Sequence, residues 1–169
     1  VTDRILGLVA AACGGGETRF RAELAEPAAA LGWRLAITAT PTFGRWLDAN
    51  GETERLQALT DLPVRHHSRL PTDPKPYPRP DAFVFAPASA NSVAKLAMGI
   101  ADSQALTHLN QALGSPGVPV AVGTLVSGES AAHPLWPTHL ATLRAAEASV
   151  VDLLTVGRWT SLLDLIGNP

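Results

Sequence analysis

The chain has 169 residues, 46% of them hydrophobic and 17% charged, which excludes an intrinsically disordered composition and suits one domain with a continuous core. No apolar run approaches the ~20 residues that a spanning helix needs, so a membrane protein is not expected. A formal charge of -2 and a pI near 6.2, with the arginines scattered, argue against a nucleic-acid partner.

Short unbroken apolar runs alternate with amphipathic stretches along the chain, the pattern of a parallel sheet covered on both faces. The expected fold is therefore α/β: a single doubly wound, Rossmann-like or flavodoxin-like parallel sheet over residues 1–169. Residues 4–12 (RILGLVAAA) read as a buried first strand, followed by the loop CGGGE and a helix over 18–31. The lone Cys13 cannot form an internal disulfide, and the N-terminus lacks the pattern of a secretory signal, so a cytoplasmic location is expected. Residues 34–40 (RLAITAT) form the second strand, ending in the turn PTFG before a helix that carries Trp46 and Leu47. A short helix over 52–59 leads to LPVRHH, a poor third strand.

Five prolines in residues 71–80 favour an extended, solvated loop that is a candidate lid. Residues 81–86 (DAFVFA) read as a central strand, and 89–98 as a helix with Val93, Leu96, Ala97 and Ile100 on one face. Helices are expected over 103–113 and 137–148, with strands over 119–123 and 150–154, the latter a sixth. The tail over 159–165 is apolar at helical spacing and is expected to cover a sheet edge or a neighbouring subunit.

In such a sheet, ligands bind at the carboxyl ends of the strands near the point where strand order reverses. Three turns qualify. CGGGE, with Gly14 and Gly15, permits close backbone approach to an anion, as an ordinary flexible turn also would. TATPTFG places hydroxyls at Thr38, Thr40 and Thr42 near a helix start, where Thr42 also reads as a plain cap. The third turn, Pro87, Ala88, Ser89, Ala90 and Asn91, converts a buried strand directly into a helix with small polar first residues. Ser89 alone reads equally as an N-cap.

The stretch PASANSVAKLAMGIADS, residues 87–103, resembles the PASANT region of the homo-oligomeric flavin-containing cysteine decarboxylases. That family includes phosphopantothenoylcysteine decarboxylases and the peptidyl-cysteine decarboxylases of lanthipeptide and linaridin pathways. Both the PASAN core and the K-x-A-x-G-I-A-D pattern match, and a weaker resemblance extends over most of the chain. The resemblance implies FMN as cofactor, with Ser89 and Asn91 beside the isoalloxazine and substrate, and Thr40 and Thr42 near the phosphate. Trp46 takes the place of an aromatic packed near the flavin. A histidine upstream of PASANT is the family's acid–base residue: His66 matches P-V-x-H read from upstream, and His67 matches H-x-x-L read from downstream. His66 is preferred, and both also read as exposed polar residues. The resemblance further implies a homotrimer, or a dodecamer of trimers, with the site where subunits meet, and no metal.

Departures from the family pattern bear on the substrate. The clamp P-x-M-N-x-x-M-W is missing, and TLVSGESA (124–131) stands in its place, with Ser127 at the asparagine position and Ala131 at the tryptophan position. Ser127, Glu129 and His133 are candidate substrate contacts, although a solvated loop also accounts for them. Strand one carries Val9, Ala10 and Ala11 where the family has T-G-S, leaving phosphate binding to loop amides. No cysteine follows Cys13, whereas the phosphopantothenoylcysteine enzymes use a later one to reduce their enethiol intermediate. The expected activity is thus oxidative decarboxylation of a cysteine carboxylate, at the C-terminus of a peptide or in a smaller cysteine conjugate. The alternatives are a flavoprotein that binds FMN without decarboxylating, and a phosphopantothenoylcysteine decarboxylase. A flavin prenyltransferase fits the PASAN segment less well, and no G-x-G-x-x-G supports an NAD enzyme.

Overall fold

The computed structural model describes residues 3–169. Five strands, β1 (Ile5–Ala10), β2 (Arg34–Ala39), β3 (Ala82–Ala88), β4 (Val120–Thr124) and β5 (Ser149–Asp152), form one sheet in the order β2-β1-β3-β4-β5. All pairings are parallel, with Leu6 level with Leu35 on one side and Ala82 on the other. This is the doubly wound α/β class expected. β3 shifts register between Phe85 and Ala88, where the Ala86-Pro87 peptide is cis.

Alternation along the strands builds a core on each face. Leu6, Leu8 and Ala10 of β1 point into one layer with Phe20, Leu24, Phe43 and Leu47, while Val9 points into the other with Phe85, Val93, Leu106 and Leu109. Each fully buried Leu, Val or Phe among them contributes about 1.5–3 kcal/mol. The first layer comes from α1 (Gly16–Phe20), a π-helical segment (Arg21–Ala25) and α2 (Glu26–Ala30), then α3 (Pro41–Ala49) and α4 (Glu52–Gln57). The second comes from α5 (Ala90–Ala97), α6 (Gln104–Leu113) and, beyond the short α7 (Gly128–Ala131), α8 (Trp136–Ala145). Two further short helices, α9 (Leu153–Val156) and α10 (Ser161–Asp164), close the chain. Among the described residues, no helix is long and apolar enough to cross a membrane.

Several expectations need correction. LPVRHH is no strand: only Arg65 bridges to Thr38, its N–H donating to Ile37 at 3.0 Å and its carbonyl accepting from Ala39 at 2.8 Å. Pro63 lacks an amide, and the proline-rich run that follows cannot extend a ladder, so β2 is the edge and the sheet has five strands. PTFG is no turn but the opening of α3, with Pro41 at a first helical position where its missing N–H costs nothing. Ile100 leaves the buried face and is 40% exposed, because α5 ends at Ala97 and Gly99, at φ 73, redirects the chain. The tail covers the face of its own sheet: Trp159, Leu162 and Leu163 are buried, and a Cβ on Gly123 would lie 2.8 Å from Leu162.

Candidate functional site

The chain leaves β1 for β2 on one side and later returns to β3 on the other, so strand order reverses between β1 and β3. A crevice opens at the carboxyl ends of strands at such a point. Here it is a cleft of about 410 Å³, walled by Ala12 after β1, Thr40 and Thr42 after β2, and Ser89, Asn91, Ser92 and Lys95 after β3. Asp102, Ser103 and Leu106, around the start of α6, close it.

Each wall has a local cause. Thr40 is the N-cap residue of α3 in extended conformation; its N–H donates to Ala10 at 2.9 Å and its carbonyl accepts from Gly44, yet its side chain makes no capping bond. Thr42 lies inside the first turn and so does not cap the helix. Two hydroxyls thus stand at the positive end of a nine-residue helix. Ser89 does cap α5: its Oγ accepts from the Ser92 N–H at 3.2 Å and lies 3.1 Å from Ser92 Oγ. Asn91 is exposed, and Lys95 pairs with Asp102.

The PASAN turn divides two cavities. Pro87 and Ala88 are buried in the end of β3, behind the cleft wall. Ala90 turns away from the cleft toward a pocket of about 210 Å³ that it shares with Ala94, Ser130, His133, Trp136 and His139. His133 is thereby brought to the motif. Ser127 and Glu129 are exposed and line neither cavity, and Ser127 bonds Ser130 at 3.2 Å.

Gly14 and Gly15 lie exposed beyond β1, outside the cleft lining, and a Cβ on either would meet nothing within 4 Å. The glycine that packing demands is Gly16, where a Cβ would lie 2.8 Å from Pro87 Cγ; this binds the first loop to the PASAN turn. Burial pushes the Cys13 thiol up to about 12, so it remains protonated near neutrality and is a poor nucleophile.

The two histidines differ in their seating. His66 has a side chain 20% exposed, with Nε2 3.4 Å from Asp48 Oδ2 and Nδ1 buried without a hydrogen-bond partner. It lies flat on α3, in space that only Gly44 leaves: a Cβ there would fall 2.3 Å from its Cγ. His67 is exposed and packs against His66, with ring centroids 4.3 Å apart and planes tilted by 54°. Neither histidine lines the cleft of its own chain, and neither does Trp46, which is 37% exposed and packs 6.5 Å from Phe43.

Thr38 corrects the sequence reading more sharply. Its hydroxyl is buried and turned to the opposite side, 3.0 Å from Tyr77 OH and 3.5 Å from His108 Nδ1, so it does not reach the cleft. Gln104 Nε2 lies 2.7 Å from the other ring nitrogen of His108. Burial, and then the Arg65 charge, lower the His108 pKa to about 4, so its imidazole is neutral. No sequence signal marks this cluster, because Tyr77 and His108 come from a loop and a helix 31 residues apart.

A parallel sheet of this order with a hydroxyl- and amide-lined cleft at its β1/β3 switch point defines a doubly wound protein built to hold a phosphorylated cofactor. Residues 39–165 match the Flavoprotein family, and the chain belongs to it. Its cofactor is accordingly FMN. No curated protein matches the chain. Among solved structures, it is similar to the FMN-dependent cysteine decarboxylase TvaF from thioviridamide biosynthesis, at 20% identity and a TM-score of 0.72, covering 98% of this chain and 99% of that one. MrsD from Bacillus sp. HIL-Y85/54728 follows at 14% identity and 0.68, covering 96% and 94%. A PPC decarboxylase mutant complexed with pantothenoylaminoethenethiol stands at 16% and 0.62, covering 88% and 81%.

Proposed function

We propose that this chain binds FMN in the β1/β3 cleft and catalyses oxidative decarboxylation of a cysteine carboxylate, that of the C-terminal cysteine of a peptide. The observation that carries this reading is the cleft lining itself: the Thr40 and Thr42 hydroxyls at the start of α3 suit a phosphate, and Ser89 and Asn91 stand across from them. FMN is the cofactor whose chemistry this site accommodates, with the small residue Ala12 leaving room for a planar ring between the two hydroxyl-bearing turns. Held there by Thr40, Thr42, Ser89 and Asn91, FMN would supply a two-electron acceptor for thiol oxidation, the chemistry that gives the carboxylate's bonding pair somewhere to go.

The chain's own residues bind, orient and move protons. The Asn91 amide holds the substrate carboxylate without adding a charge that would resist its loss. His66, its ring seated on Gly44 and its Nε2 facing Asp48, takes the thiol proton, and the carboxylate of Asp48 stabilises the imidazolium that forms. His67 lacks such an orienting partner. Since His66 and the cleft do not share a wall within one chain, a neighbouring copy supplies His66 in a homotrimer, with exposed Trp46 and Met98 (69% exposed) available to the contact. His133, beside Ala90, is the substrate contact that the fold favours over Ser127 and Glu129. With Cys13 buried and protonated and no other cysteine in the chain, the enethiol leaves without further reduction.

The test is direct. Purified protein is yellow with a flavin spectrum, and peptides ending in cysteine lose the mass of carbon dioxide plus two hydrogens. His66→Asn lowers turnover by about 10²-fold or more, while His67→Asn changes it little. Colourless protein that takes up no FMN overturns the whole reading, and full activity in His66→Asn overturns the assignment of the base.

One observation favours a second reading, FMN binding without decarboxylation. Where the family resemblance calls for a substrate clamp, the chain forms the four-residue helix α7, with no buried residue. Retained flavin with inert peptides and cysteine conjugates selects that reading.

A further inference from the structure

A second and larger cavity lies outside the flavin cleft, between the proline-rich loop and α6. Its volume is about 900 Å³, and its floor is the buried cluster of Tyr77, His108 and Gln104. Arg65, Arg69, Lys75 and Arg79 line it, and no acidic residue does. Of the nine basic side chains elsewhere, Arg19, Arg21, Arg34, Arg55 and Lys95 sit in ion pairs with carboxylates; among the described residues the four that line the groove sit in none, nor do the dispersed Arg4, Arg45, Arg144 and Arg158.

What holds the three arginines is neutral oxygen. Arg69 donates to the carbonyls of Leu70 at 3.1 Å and Asp73 at 2.8 Å, Arg65 to that of His67 at 3.2 Å, and Arg79 to the Ser115 hydroxyl. The nearby Asp73 carboxylate instead accepts from the Leu70 N–H at 2.8 Å. These bonds orient the guanidinium groups and leave their charge uncompensated. A row of like charges held together in this way is unfavourable alone and becomes favourable when an anion enters.

The spacing says what kind of anion. Arg65 is level with Thr38 at the carboxyl end of β2, whereas Arg79 precedes Asp81, whose N–H bonds Ile5 opposite the start of that strand. The cations therefore run along a strand length of about 13 Å, and the polar face of α6 from Gln104 to Gln111 runs beside them for about 10 Å. One phosphate or carboxylate reaches only one end of such a row. An extended peptide with a rise of about 3.3 Å per residue lays about four residues along it, with about two acidic side chains facing each side of the groove, between walls of Pro76, Pro78 and Phe83.

We propose that this groove is a binding site for an extended acidic peptide segment, with Arg65, Arg69, Lys75 and Arg79 as its anion-recognising side chains. The proposal stands apart from the decarboxylase reading, and its test measures binding alone.

The probe is a fluorescein-labelled pentaglutamate peptide titrated with the FMN-loaded protein and followed by anisotropy. Saturable binding is expected, weakening at least about tenfold as salt is raised from about 50 mM to about 300 mM. The matched pentaglutamine peptide is expected to bind at least about tenfold more weakly. The double variant Arg69→Glu/Lys75→Glu, at exposed loop positions, should lose at least about tenfold in affinity with flavin spectrum and melting temperature unchanged. Should it misfold, Arg69→Gln/Lys75→Gln serves with the same readout. Equal binding of pentaglutamine, or wild-type affinity in the folded variants, overturns the proposal. Displacement of the peptide by inorganic phosphate at equal concentration overturns the extended mode and reduces the groove to a single-anion site.

Discussion

Gly44→Ala tests the link between fold and chemistry with a single added methyl group. The new Cβ would fall 2.3 Å from Cγ, 2.4 Å from Cβ and 2.7 Å from Nδ1 of His66, where ordinary contact begins near 3.4 Å. The imidazole must therefore retreat by about an ångström or more, taking Nε2 away from its position beside Asp48. Overpacking of this kind costs about 1–3 kcal/mol. Alanine in a helix interior recovers about 1 kcal/mol relative to glycine, so the net loss is at most about 2 kcal/mol. For a chain of this length that lowers the melting temperature by no more than about 8 °C. Misplacing a reacting group by an ångström costs about 10²-fold in rate. The expected variant is folded, yellow and slow, as read by thermal melting, flavin absorbance and mass-spectrometric turnover of cysteine-ended peptides. If it stays folded and yellow but turns over within about threefold of the parent, His66 in this seat is not the acid–base group.

Acid stability reports on the cluster beneath the proline-rich loop. His108 has its pKa lowered from 6.5 to about 4, by burial first and the Arg65 charge second, so below 6.5 the unfolded chain binds a proton that the folded one refuses. Stability should therefore fall between about pH 6.5 and pH 4, by at most about 3 kcal/mol, and His108→Gln should flatten that slope in urea midpoints measured across the window. An unchanged slope refutes the assignment. Glu52, 5% exposed, joins the π-helical segment to α4 by accepting from Arg21 and Arg55, each at 2.7 Å. Burial raises its pKa, yet those two hydrogen bonds outweigh burial and hold the carboxyl below its ordinary 4.5, so its contribution is complete above pH 4.5 and fades below. Glu52→Ala should cost about 3 kcal/mol by chemical denaturation at neutral pH, the low end for a broken buried pair because Arg55 keeps access to water. A loss below about 1 kcal/mol would show that water replaces the pair without penalty.

Local pattern was enough for the sheet and for the turn at its heart. Runs such as ILGLVA and AFVFAPA are apolar at every position because both faces of a parallel strand are covered, and that requirement is written in the residues themselves. The segment from Pro87 to Asn91 was legible for the same reason: a buried strand that ends in small polar residues must become a helix there, and Ser89 supplies its cap.

Other features depend on contacts between distant residues, and no periodicity carries those. Which of His66 and His67 is seated was decided by Gly44 and Asp48, across a gap of some twenty residues that leaves no spacing signature. Thr38 looked like a partner of Thr40 because residues two apart share a strand face, but β2 ends at Ala39, Thr40 already belongs to the start of α3, and the Thr38 hydroxyl is covered by Tyr77 and His108. LPVRHH had the residues of a strand and lacked a neighbour with amides in register beyond Arg65. The charged groove is a mixed case: its four cations lie close together in residues 65–79, and the packing of that stretch against α6 is what gives them a common cavity.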